Sequence, residues 1–182
     1  MAFTLKEIGA YLKKNKMNFD IDKEKEILTM GMSDGTEKGA IFIIADEEGK
    51  IFSLEMKPIN DTNTRFEIPN DHPHLNLVLP QLLYANYNTK FGTWEYDPSG
   101  GDLKFTIEFP IEDGTITQQQ FERVLSGVNT AFEYQAKFRH ILETGTLPTQ
   151  EDELEQFKIL LENMVKQIQT QEVSSEEDKD GI

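Results

Sequence analysis

Between residues 103 and 109 the chain alternates without a break: Leu103, Phe105, Ile107 and Phe109 are apolar, and Lys104, Thr106 and Glu108 between them are polar. A period of two places every second side chain on the same face of an extended strand. One face of this strand must therefore be buried and the other wetted. Asp97, Pro98, Ser99, Gly100 and Gly101 supply turn chemistry just upstream, and residues 93–96 form the opposing arm of an antiparallel hairpin.

A second hairpin is expected earlier. Residues 40–45 are a short, continuous apolar run that suits a central strand, 46–49 form a turn, and 51–56 return. Phe52, Leu54 and Met56 share one face of the returning arm, opposite Ser53 and Glu55. Phe19 and Ile21 alternate with polar neighbours, residues 27–32 read as a further extended piece, and a short one is possible at 65–68 within the loop 58–72.

Helices separate these strands. Thr4 and Glu7 have the spacing of a capping box, followed by Leu5, Ile8 and Leu12 on one face. A second helix is expected from Pro80, as its first residue, to about Thr89, because an interior proline removes an N–H and clashes with the preceding turn. Thr117 and Gln120 cap a third, whose stripe runs through Phe121, Val124, Val128, Phe132, Phe138 and Leu142 to Gly145. A fourth is expected over about 150–168, with Leu154, Phe157, Leu161, Met164, Val165 and Ile168 at near-heptad spacing. The polar, acidic residues 169–182 are expected to be disordered.

The chain has 182 residues, a length that fits one domain, and no cysteine, which excludes a disulfide scaffold, thiolate metal sites and a cysteine nucleophile. The formal net charge is −15. Such a chain repels phosphate backbones and anionic lipid, so neither nucleic acid nor membrane is an expected partner, whereas a basic or amphipathic polypeptide is acceptable. Most of these charges simply confer solubility. No signal peptide and no apolar stretch of spanning length is visible, so cytoplasmic localisation is expected.

Catalytic motifs are missing. His72 and His74, behind Asp71, offer two imidazoles and a carboxylate, but Pro73 fixes an extended geometry and no fourth ligand is near, so a polar loop is the better reading. His140 is expected on the exposed side of the third helix without a partner. Residues 97–102 lack the length and the closing glutamate of a calcium loop. No serine has a nucleophile-elbow context and no glycine-rich phosphate loop is present. The expectation is a non-enzyme without cofactor or metal.

The residues Leu-Pro-Gln-Leu-Leu-Tyr-Ala-Asn-Tyr-Asn at 79–88, then Gly92, Trp94, Tyr96 and Asp97, Gly101-Asp102-Leu103, Phe109-Pro110, Glu112-Asp113 and Thr117 to Phe121 together resemble the YbjN family. The resemblance implies the type III secretion chaperone-like fold. That is an α+β domain with one twisted antiparallel sheet of about five strands flanked by helices, in the order α-β-β-β-α-β-β-α, the same order that the residue patterns give. It would occupy residues 1–145, with an additional C-terminal helix at 146–168 and a tail at 169–182. The added helix departs from the family pattern.

Secretion chaperones of this fold are homodimers that bind extended segments of clients, so the resemblance implies a protein or peptide client and a homodimer. The residues expected to meet partners are Trp94 and Tyr96 as aromatic anchors, Phe52 and Leu54 on an exposed sheet face, and Phe157 and Leu161 on the fourth helix. An acidic surround would favour basic client segments. Asn86 and Asn88 read as C-terminal caps of the second helix. Two alternatives stay open: a structural or regulatory subunit that docks a folded partner through the C-terminal helix, and an enzyme of unrecognised type.

Overall fold

The structure is a computed structural model. It describes residues 3–152, 155, 158, 159, 161, 162 and 165. Helix α1 (Leu5–Lys14) is followed by strands β1 (Asp20–Asp22), β2 (Ile27–Ser33), β3 (Lys38–Asp46) and β4 (Ile51–Ile59). Helix α2 (Leu75–Asn88), strands β5 (Thr93–Asp97) and β6 (Asp102–Pro110) and helix α3 (Gln118–Thr144) complete the described fold. All strand pairs are antiparallel, and the six strands lie in one sheet of order β1-β2-β3-β4-β6-β5. The sixth strand, beyond the five expected, is the three-residue β1.

Register decides which side chains share a face, because directly paired residues point the same way. Leu28 pairs with Ile43, Ile43 with Leu54, and Leu54 with Ile107; Met30, Ile41, Met56, Phe105 and Trp94 form the neighbouring row. This face is the core, and helices cover it. α1 contributes Leu5, Ile8 and Leu12, and α3 contributes Phe121, Val124, Val128, Ala131, Phe132, Phe138 and Ile141. Each fully buried Phe, Leu or Ile contributes about 1.5–3 kcal/mol. Gly39 lets the helix approach: a Cβ there would lie 2.8 Å from Met56 and 3.3 Å from Phe132.

Local chemistry sets the helix ends. Thr4 and Thr117 both make complete capping boxes, with Glu7 and Gln120 as reciprocal partners. Gly145 ends α3 in the left-handed region at φ 72°. The start of α2 differs from expectation. It begins at Leu75, and Pro80 lies inside it. The ladder is already established at His74, whose carbonyl accepts from the N–H of Leu77 at 3.0 Å and of Val78 at 3.3 Å. Pro80 therefore forgoes one bond near the start of a 14-residue helix that is held by its buried Val78, Leu82 and Ala85.

The turn between β5 and β6 forms as read. The Asp97 carboxylate accepts from the Ser99 N–H at 2.8 Å and from its hydroxyl at 2.7 Å. Those bonds, the hydroxyl's first, hold the Asp97 carboxyl below the usual carboxylate range. The extended piece at 65–68 is present as isolated bridges of Arg65 with Ile59 and of Glu67 with Asp102. At the C-terminal end, residues 150–152, 155, 158, 159, 161, 162 and 165 are helical. Thr149 and Asp152 cap this segment: the Asp152 carboxylate accepts from the Thr149 N–H and hydroxyl, both at 2.7 Å.

Candidate functional site

The apolar face of the sheet is not the free surface that the sequence suggested. Phe52 and Leu54 are both 0% exposed. They lie under the helices, where Phe52 packs against Phe3, Phe109 and Phe121. The opposite side of β4 carries Ser53, itself only 6% exposed, and the partly exposed Glu55 and Lys57, an outcome of the same period of two read from the other face.

Trp94 is likewise a core residue. It is 3% exposed and wedged between Phe105 of the sheet and Phe138 of α3, with ring centroids 5.5 and 5.1 Å away. An edge strand presents its core-facing side chains to the same helices as a central one, so edge position did not imply exposure. Tyr96 is half-buried, and its hydroxyl donates to the Ile68 carbonyl at 2.9 Å, tying the 65–70 segment to the hairpin. Burial pushes the Tyr96 phenol above its usual range. Leu161 is 45% exposed. Phe157 lies outside the described residues.

Asn86 neither caps α2 nor faces solvent. Its amide bonds to both backbone groups of Trp94. Asn88 does act as a C-terminal cap, its Nδ2 donating to the Tyr84 carbonyl at 2.8 Å. His140 is not a free surface imidazole either. Its side chain is 18% exposed, with Nε2 4.0 Å from Asp152 and 3.5 Å from the Thr146 hydroxyl. His72 accepts the His74 N–H on Nδ1 at 3.2 Å, which fits the polar-loop reading. No group of three or more His, Asp or Glu suited to a metal is gathered among the described residues.

The side of the sheet away from the core carries a charge ladder. Lys104 bridges Glu55 at 2.8 Å and Glu95 at 3.5 Å, and Lys57 stands 3.8 Å from Glu55. The hydrogen bond to Glu55 raises the Lys104 ammonium above its usual range, against a partial burial that acts the other way. Cross-strand pairs of this sort stabilise the sheet modestly. Their charges are already matched.

Two apolar surfaces stand out among the described residues up to Gly145. One is the outer side of α2 and the residues after it: Leu79, Leu83, Tyr84, Tyr87 and Phe91 are 38, 72, 58, 88 and 54% exposed. Leu79, Leu83, Tyr87 and Phe91 recur every fourth residue. Side chains four apart line one face of a helix, so the three within α2 form a row that Phe91 extends past its end. The sequence carried part of this signal, since Leu79 and Leu83 belong to the apolar period from which the second helix was read, but one-dimensional pattern alone does not tell a core stripe from an exposed one, and Tyr87 and Phe91 were not part of that reading. The second surface is a groove of about 860 Å³ between α1 and β1, floored by Phe3, Leu5, Phe19, Ile21 and Ala45. Here the apolar sheet face runs out past the edge of its helical cover, and Ile21 is 37% exposed.

These features define an α+β protein with one antiparallel sheet roofed by helices on one face. Among solved structures the chain is similar to YbjN from E. coli, at 13% identity over 80% of this chain and 96% of that one, with a TM-score of 0.49. It is also similar to a chain of the HopA1–SchA chaperone–effector complex, at 14% identity over 70% of this chain and 86% of that one, with a TM-score of 0.45. Both likenesses concern the fold. No family model matches the chain, and no curated protein matches it in sequence.

Proposed function

We propose that this chain is a non-catalytic protein- or peptide-binding module that works as a homodimer in the cytoplasm. The observation that carries the reading is the exposed row Leu79, Leu83, Tyr84, Tyr87 and Phe91. Leaving so much clustered apolar and aromatic surface in water is unfavourable unless a partner covers it. A second copy is the partner proposed for this row. Side chains at i and i+4 form a ridge that fits the equivalent groove of another α2, and a two-fold axis would make the contact self-complementary. A cysteine-free, acidic chain suits a reducing aqueous compartment, and no helix among the described residues is long and apolar enough to cross a membrane.

Light scattering on the full chain and on L83E/Y87E tests the reading. Both positions are exposed, so the fold should tolerate the change. The expected result is a dimer for the parent chain and a monomer for the variant, with unchanged circular dichroism. A parent chain that is monomeric at 100 µM and captures no polypeptide would overturn it.

A second reading has its own support. Ile159, Leu161 and Val165 are 42, 45 and 51% exposed, which favours docking of a folded partner through the C-terminal helix. Truncation after Gly145 separates the two: loss of the dimer or of a captured partner with an intact fold favours docking by that helix.

A further inference from the structure

The groove between α1 and β1 differs from the rest of the molecule in its charge. Residues 1–25 hold six lysines and four carboxylates, in a chain whose net charge is −15. Three of the lysines, Lys6, Lys13 and Lys23, stand on the groove's walls, against Glu26 and Glu48. Lys13 is poised over the floor, its ammonium 6.0 Å from the centre of the Phe19 ring. Among the described residues the ion pair of this corner joins Lys25 to Asp22, and none engages Lys6, Lys13 or Lys23. The apolar floor and the unpaired ammonium groups above it thus occur together at one place.

Resting on the reading of the chain as a protein-binding module, we infer that this groove takes a client segment whose apolar anchors are flanked by carboxylates. The anchors cover Phe19 and Ile21, and the carboxylates meet Lys6, Lys13 and Lys23. The overall charge opposes this at long range, but at physiological salt the field of distant charges decays over about 8 Å. The groove's own lining, in which Lys6, Lys13 and Lys23 outnumber Glu26 and Glu48, then decides the sign. Recognition in the groove therefore runs opposite to what the net charge suggests, and a basic segment is disfavoured there.

Fluorescence anisotropy tests the inference with two labelled twelve-residue peptides, one of leucine and glutamate and one with lysine for every glutamate, titrated with the full chain at 150 mM salt. The glutamate peptide is expected to bind saturably and about tenfold more tightly, the product of three exposed ion pairs of ordinary strength. K6E/K13E/K23E, with all three changes at exposed positions and its fold checked by circular dichroism, should reverse the preference. Equal or tighter binding of the lysine peptide to the parent chain, no saturable binding of the glutamate peptide, or an unchanged glutamate-peptide affinity in the triple variant would overturn it. A dimer that persists in light scattering alongside any of those results would sink this inference and leave the protein-binding reading standing.

Discussion

Asn86 spends its whole side-chain amide on one residue: Nδ2 donates to the Trp94 carbonyl at 3.0 Å, and Oδ1 accepts from the Trp94 N–H at 2.7 Å. A side chain of α2 thereby imitates the strand that β5 lacks on its outer edge. The bond pair also fixes the angle at which α2 meets the sheet, and hence where its exposed row points.

Replacing Asn86 with alanine removes both bonds and leaves two part-buried backbone groups unmatched. The expected cost is about 2 kcal/mol, read as a lower urea midpoint with little change in slope. N86D should recover only part of this, because a carboxylate can accept the Trp94 N–H but has nothing to donate to its carbonyl.

Trp94 is the only tryptophan, so its environment is directly observable. Its emission should be blue-shifted and poorly quenched by acrylamide. W94A should cost about 3–5 kcal/mol through the cavity left against Phe105 and Phe138. W94F should cost far less, since the indole N–H is buried without an acceptor among the described residues, and phenylalanine removes that donor along with some volume. Both are measured by chemical denaturation.

Glu37 anchors α3 to the start of β3. It is 4% exposed, Arg139 reaches it through Nη2 at 2.9 Å and Nε at 3.0 Å, and Gln135 donates to it from the same helix. The guanidinium also lies over the Phe66 ring, 4.9 Å from its centre. R139M strands a buried carboxylate and should destabilise by about 3 kcal/mol. E37L/R139M, which leaves no charge behind, should recover most of that loss in a double-mutant cycle.

Acid should loosen the β5–β6 turn. The Asp97 carboxyl is held below its ordinary value of 3.8 by the bonds from Ser99. A carboxyl whose folded value is depressed stabilises fully above the unfolded value, and the contribution is lost as pH falls through the folded one. The stability difference between the parent chain and D97N should therefore be flat above about pH 5 and shrink as pH falls through 3.8 and below, followed by thermal melts across that range.

Much of the scaffold was legible because short-range chemistry dictates it. The two capping boxes, the alternation at 103–109, and the turn from Asp97 to Gly101 each depend on residues a few positions apart, and each is found as read. Pro80 misled because the strength of α2 comes from tertiary burial of Val78, Leu82 and Ala85, which local propensity does not contain. Trp94, Phe52 and Leu54 misled for a related reason. Period two identifies which side chains share a face, but only packing tells which face the helices cover. Asn86 could not have been assigned at all, since its partner is set by the angle between a helix and a strand. The exposed row on α2 and the lysine-walled groove both needed surface exposure to be recognised.

The two ends of the sheet have unequal fates. At one margin the Asn86 amide already occupies the main chain of Trp94, while at the other β1 stops after three residues and leaves the rest of β2 with no strand neighbour on that side among the described residues. Stacking copies into a filament through the sheet requires two competent margins on every subunit. With the Trp94 main chain already engaged by a side chain of its own subunit, the β5 margin is the less competent of the two for pairing with another chain.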